Sequence, residues 1–265
     1  MPSNKRQKEL ARRRAERQAA RRAAERARRR KRRTLMGLTI GGVAAAVVLL
    51  LVLVSAIRDD GDSTASPDES PTPTPAPVAC GATAPPAVKE QTFKEEPKLT
   101  IDKAKTYTAS LKTSCGVIEF SMDAKNAPHT TNSFAFLAGK KYYDGTFCHR
   151  MTNSPGLTVL QCGDPAGTGA GGPGYTIAEE NLTGAKYTRG TVAMAKTSAP
   201  HSTGSQFFLV DKDSELPPEY TVVGKMTDES LKVLDKILAL GIEGGSTDGA
   251  PAQRVYIETF TVTAK

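Results

Sequence analysis

The sequence predicts a mainly β protein, a β-barrel capped by two α-helices, carried behind one transmembrane helix and a proline-rich stalk. Three observations predict it. Short apolar or alternating runs, each bounded by glycine or turn residues, recur between positions 107 and 262. Two longer stretches instead carry the apolar rhythm of helices, and ahead of everything lie 23 uncharged residues followed by alternating prolines.

The chain holds 36 Lys plus Arg and 28 Asp plus Glu, a formal charge of +8. Residues 1–33 account for 16 of the basic and 3 of the acidic groups, leaving 20 against 25 for the rest. The basic character therefore belongs to the N-terminus alone. That segment, 1–34, is rich in Arg, Ala, Glu and Gln with no apolar stripe to bury, so it suits a cytoplasmic flank attracted to anionic lipid. Nucleic-acid binding is not expected, because no reading element accompanies the charge.

Leu35–Ile57 carries no charge and is bounded by Arg33 and Arg58. At about 1.5 Å per residue, 23 helical residues cross a hydrocarbon layer of roughly 30 Å. The run is too long for a cleaved signal peptide. With the basic flank in front, the expected topology is a single pass through the plasma membrane, N-terminus cytoplasmic and the remainder outside. Residues 58–99 follow as a Pro/Ser/Thr-rich linker, centred on Pro71-Thr72-Pro73-Thr74-Pro75-Ala76-Pro77, whose polyproline character gives reach.

The folded domain is expected over 100–265, long enough for one core without help from metals. Tyr107–Thr113 and Gly116–Ser121 alternate about a Ser114-Cys115 turn as a hairpin. Pro128–Ala138 reads as a helix entered near Asn126 and stopped by Gly139. Strands are expected at Gly145–Met151, Thr158–Gln161, Gly190–Ala195, Gln206–Val210, Tyr220–Gly224 and Val255–Val262. Asp228–Leu240 is the second helix, with Leu231, Leu234, Ile237 and Leu238 on one face and Gly241 as its stop.

The chemistry concentrates in Phe147–Asp164, two short strands joined by a turn at Asn153–Gly156, with Arg150 leaving the first and Gln161 the second. Gly204-Ser205-Gln206-Phe207-Phe208 adds a second amide beside an apolar floor. An arginine, two glutamines and a phenylalanine suit a carbonyl and an apolar ring; no nucleophile or acid–base pair accompanies them. Tyr143-Asp144-Gly145-Thr146-Phe147-Cys148-His149-Arg150, Leu160-Gln161-Cys162-Gly163-Asp164, Gly204-Ser205-Gln206-Phe207-Phe208 and Val222-Val223-Gly224-Lys225 together resemble, in order and spacing, the cyclophilin peptidyl-prolyl cis-trans isomerases.

The resemblance implies a closed eight-stranded antiparallel barrel. It implies acceleration of rotation about X-Pro bonds in proline-containing polypeptides, here assisting the folding of extracytoplasmic proteins, with no metal or other cofactor. Arg150 takes the catalytic role, Gln161 the substrate carbonyl, Phe208 the proline-pocket floor and Gln206 support for that wall. Substrate contacts are further expected at Val159 and Thr158, at Met194, Ala195 and Lys196, and at Leu216 and Tyr220. Thr158 and Val159 replace a bulkier wall, and Lys196 replaces a common asparagine. Leu216 stands where many members place a tryptophan associated with cyclosporin, which implies weak binding of that inhibitor. The rival function is a non-catalytic module holding proline-containing segments.

His149 neighbours Arg150 but points to the opposite face of a strand, so packing is expected of it. Gly167–Gly172 has spaced glycines, yet Pro173-Gly174 prevents the helix that a dinucleotide site needs. A triad of Ser205, His149 and Asp164 lacks the nucleophile elbow. All four cysteines follow the apolar run, in an oxidising compartment; Cys148 and Cys162 sit on strands expected to pair, which leaves Cys80 for Cys115. Zinc held by Cys148, His149 and Cys162 is disfavoured, since adjacent strand residues face apart.

Overall fold

A computed structural model describes residues 76–86 and 90–265. The expected basic segment and transmembrane helix lie outside the described residues, as do residues 58–75 and 87–89 of the linker. Among the described residues no helix is long and apolar enough to cross a membrane.

Nine strands form one antiparallel sheet: β1 (Tyr107–Thr113), β2 (Gly116–Met122), β3 (Arg150–Ser154), β4 (Leu157–Cys162), β5 (Thr191–Met194), β6 (Phe207–Lys212), β7 (Val222–Met226), β8 (Asp248–Gly249) and β9 (Ile257–Ala264). Their spatial order is β8-β3-β4-β6-β5-β7-β2-β1-β9. The count is nine rather than the eight implied by resemblance, because two-residue β8 pairs along the outer edge of β3. Between the ends of that order, Gly145 N–H donates to the Ile257 carbonyl at 2.7 Å, Ile257 N–H to Thr146 at 2.8 Å and Cys148 N–H to Val255 at 2.9 Å. The expected turn at Asn153–Gly156 is shorter than read. Asn153 and Ser154 still pair with β4, and the reversal falls on Pro155-Gly156, with Gly156 at a φ of +76° that suits glycine.

Helix α1 (Pro128–Gly139) opens with proline at a first-turn position, where no intrahelical donor is lost. Asn126, expected at its entry, turns back to Asp123 instead. The free N–H groups of His129 and Thr130 are met by the Glu180 carboxylate, 3.1 and 2.8 Å away. The helix ends on Gly139 itself, one residue past the expected Ala138, and the left-handed residue beyond it is Lys141, at φ 56°. Phe134 drives α1 into the sheet, its ring 5.5–6.3 Å from those of Phe207, Phe260, Tyr143 and Phe120.

Helix α2 (Asp228–Leu238) is capped by Thr227, which accepts from Ser230 N–H at 3.2 Å, a contact worth about 1 kcal/mol. Leu234 and Ile237 are buried, with Leu231 and Leu238 packed at the margin. The helix ends two residues before the expected Leu240, and Gly241 takes a positive φ just beyond.

Strand alternation divides β4, β5 and β6 between two apolar clusters. Leu160, Cys162, Val192, Met194, Phe207 and Leu209 face the main core. Val159, Ala193, Phe208 and Val210 turn the other way, into a small second cluster joined by Tyr187, Leu157, Leu216 and Tyr220. The second cluster is the floor on which the candidate site stands.

N-terminal to the first strand, the chain is strapped to the domain. Cys80 is bonded to Cys115 in the β1–β2 turn, and Arg254 exchanges backbone hydrogen bonds with Pro77 and Ala79. Further on, Phe93 donates its N–H to the Pro173 carbonyl at 2.8 Å and sets its ring edge-on to Phe136. Asn132 of α1 binds the backbone of Pro97, Lys98 and Thr100.

Candidate active site

Arg150 begins β3 and Gln161 nearly ends β4, and the register sets them directly opposite each other. Arg150 Nη1 donates to Gln161 Oε1 at 3.1 Å, Gln161 Nε2 donates to Gln206 Oε1 at 2.9 Å, and Gln206 Nε2 donates to the carbonyls of Gly169 and Gly171. The direction of this chain is forced. Guanidinium can only donate and a backbone carbonyl can only accept, so each amide between them has one workable orientation.

The glycine-rich loop that receives the chain is itself organised by Asp164. This carboxylate is buried and accepts from Ala166, Thr168, Gly169 and Gly171 N–H groups and from the Thr168 hydroxyl. Burial pushes its pKa up, but those hydrogen bonds outweigh burial and hold it below the ordinary carboxylate value. The loop's N–H groups are thus committed to Asp164, consistent with rejecting a nucleotide role for its glycines. Gly163, at φ 92°, permits the close approach of Ser205 and Gln206: a Cβ there would lie 3.0 Å from Gln206 Cα.

Beside the chain lies a small pocket of about 160 Å³. Arg150 and Gln161 form its polar edge, and Val159, Phe208, Leu216 and Tyr220 its apolar wall. Phe208 and Tyr220 meet edge to face, 5.7 Å between centroids. Tyr220 is held in turn by Tyr187, whose hydroxyl donates to the Tyr220 carbonyl and accepts from its N–H, both at 2.9 Å. A larger groove of about 550 Å³ adjoins it, bordered by Gln206, Gly171, Tyr175 and Thr197. Ala195 and Lys196 line both.

Not every expected contact is brought together. Thr158 is buried on the opposite face from Val159 and Gln161, so it does not line the pocket; Leu157 does. Met194 likewise points into the main core, opposite Phe207. Gln206 borders the groove rather than the pocket.

Asp248 was not anticipated. Arg150 donates through Nε to Asp248 Oδ1 and through Nη2 to Oδ2, both at 2.8 Å, and this pairing raises the guanidinium pKa while lowering that of the carboxyl. Tyr187 and Leu157 were also missed. Leu157 could have been found by counting back in twos from Gln161.

Cys148 and Cys162 are disulfide-bonded, so their sulfurs are not available to zinc. His149 lies in neither cavity. It sits under the loop, its ring near Gly169, with no hydrogen-bond partner for either nitrogen among the described residues. Burial lowers its pKa from 6.5. Ser205 is fully buried between the Tyr142 hydroxyl and the Gly163 carbonyl, which leaves no triad.

Residues 108–262 match the family model described as cyclophilin type peptidyl-prolyl cis-trans isomerase. The chain belongs to the cyclophilin family. It is 46% identical over 175 residues to the Mycobacterium leprae protein named "Probable peptidyl-prolyl cis-trans isomerase B", covering 62% of this chain and 59% of that one. A Helicobacter pylori protein named peptidyl-prolyl cis-trans isomerase is 40% identical over 153 residues, covering 57% of this chain and 88% of its own length. The chain therefore spans less than two thirds of the mycobacterial relative but most of the Helicobacter one. Among solved structures, a Cryptosporidium parvum cyclophilin crystallised in the presence of the dipeptide Ala-Pro superposes with a TM-score of 0.53 and 27% identity, covering 60% of this chain and 99% of that one.

Proposed function

We propose that this cyclophilin accelerates cis-trans rotation about X-Pro bonds, with Arg150 as the catalytic group. One observation carries the reading: a guanidinium lies on the rim of an apolar pocket floored by Phe208 and walled by Tyr220, held there by Gln161. Rotation is slow because amide resonance raises a barrier of roughly 18–20 kcal/mol. A proline ring seated on Phe208 fixes one side of the bond, and Gln161 beside it suits the substrate carbonyl. An Arg150 N–H directed at the proline nitrogen favours the pyramidal, decoupled amide over either planar form. No proton or electron needs to be transferred. Val159, Ala195, Lys196 and Leu216 would meet the residues flanking the proline, and Lys196 would favour an acidic neighbour.

The substrates fit unfolded segments outside the cytoplasm, since the two disulfides call for an oxidising compartment. The uncharged run Leu35–Ile57 behind a basic flank supports a membrane anchor. Fractionation tests this part: the full chain should pellet with membranes and a chain lacking 35–57 should not. The hydrogen bonds joining 145–148 to 255–257 support reading the sheet as a closed eight-stranded barrel, β8 being an edge addition.

Isomerisation of a short X-Pro peptide by the full-length chain tests the activity. Arg150→Lys should lose about a hundredfold in kcat/KM, the order of one transition-state donor, with an unchanged circular dichroism spectrum. A wild-type chain that binds such peptides without raising the rate would move the reading to a binding module.

A further inference from the structure

Arg150 carries five N–H bonds, and the fold accounts for three of them. Nε–H and one Nη2–H go to the two oxygens of Asp248, and one Nη1–H goes to Gln161. One hydrogen on each Nη is left. A bidentate carboxylate on one edge and an amide at the next corner leave the plane no freedom to spin about its Cδ–Nε axis. The structure assigns Asp248 as the positioning residue of the site, the group that fixes the guanidinium plane so that the remaining donors of Arg150 face the substrate.

The placement of Asp248 serves this purpose and no other visible one. Its carboxylate has no hydrogen-bond partner among the described residues except Arg150. It is held at the correct height by β8, whose only ladder is with β3, pairing Thr152 with Asp248 and Met151 with Gly249. Ser246 fixes the approach, its hydroxyl accepting from Asp248 N–H at 3.2 Å and donating to the Asp248 carbonyl at 2.9 Å. A two-residue strand contributes little to a sheet, whereas a carboxylate delivered to the catalytic guanidinium contributes to the reaction. The side chain of Asp248 is 55% exposed, so its removal opens no cavity.

The inference rests on Arg150 acting as proposed above, and the experiment separates the two. Full-length wild type, Asp248→Asn, Asp248→Glu and Arg150→Ala are compared by a protease-free exchange assay on an X-Pro peptide, together with the Arg150 Nε–H signal in the NMR spectrum. Asp248→Asn should lose about five- to tenfold in kcat with KM nearly unchanged, Asp248→Glu should recover part of it, and the Nε–H signal should broaden or shift in the Asn variant. Wild-type kcat should also fall as acid protonates Asp248, below the ordinary carboxylate range, with the Asn variant flat there. The charged or titratable side chains beside the pair are Tyr220 and Lys196, which line the same pocket as Arg150. Wild-type activity with Asp248→Asn within twofold of it, an unaltered acid limb and an unmoved Nε–H signal would overturn the assignment while leaving Arg150 in place. An inactive wild type would overturn both.

Discussion

Gln161 Nε2 donates to Gln206 Oε1 at 2.9 Å, and this bond joins the Arg150 donation to Gln161 Oε1 in holding the Gln161 amide in one orientation. With Gln206 removed, the Gln161 amide loses one of those two partners. Gln206→Leu is expected to lower kcat/KM about tenfold, the equivalent of roughly 1.4 kcal/mol and within the range of one buried hydrogen bond. Steady-state isomerisation would check it, and an unchanged value would mean that the Arg150 contact alone orients Gln161.

The Cys148–Cys162 bond sits two residues before Arg150 and one after Gln161, closing a 14-residue separation around the β3–β4 hairpin. Replacing both cysteines by alanine should cost about 3 kcal/mol of stability. The urea midpoint reads this directly. Because the bond staples the two strands that carry the site, kcat/KM should drop in the same variant before unfolding begins.

His149 makes stability depend on pH in a defined sense. Burial lowers its folded-state pKa below 6.5, so as pH falls through 6.5 the unfolded chain takes up a proton that the folded one refuses. Its stabilising contribution is complete above pH 6.5 and declines below it, by at most about 1.4 kcal/mol per pH unit. Urea midpoints at pH 7.5 and 5.5 should differ more for wild type than for His149→Leu. Equal differences would place the titrating group elsewhere.

Leu216 lines the pocket wall, where its small side chain leaves little to grip a bulky cyclic ligand. Leu216→Trp should tighten cyclosporin binding by about tenfold, through added apolar area and an indole N–H. Competition calorimetry would measure it, and unchanged affinity would mean that position 216 does not set the affinity for this ligand.

Much of this was legible in the sequence. The β1–β2 hairpin, α2 with its apolar face and the facing of Arg150 and Gln161 followed from alternation, helical spacing and turn residues, which are local signals. The misses have physical reasons. Asp248 belongs to a two-residue strand inside Gly244-Gly245-Ser246-Thr247-Asp248-Gly249, where no alternation can show. The cap on α1 comes from Glu180, about 50 residues away, and no local pattern announces a partner so distant. Thr158 was placed in the pocket by matching motif positions, although a period of two from Gln161 selects Leu157 and Val159. The β4–β6 ladder also slips between Thr158 and Val159, so position counts carried across it go astray.

The bond between Cys80 and Cys115 makes the strap a mechanical bypass. A pull on the chain N-terminal to Cys80 meets the Pro77 and Ala79 bonds to Arg254 and then the disulfide, at the tip of the β1–β2 hairpin. Residues 81–106 then form a closed loop that carries no tension. Phe93, whose N–H rests on Pro173 beside the groove, is inside that loop. Such a pull is therefore delivered to Arg254 and the hairpin tip, and the groove rim is shielded from it.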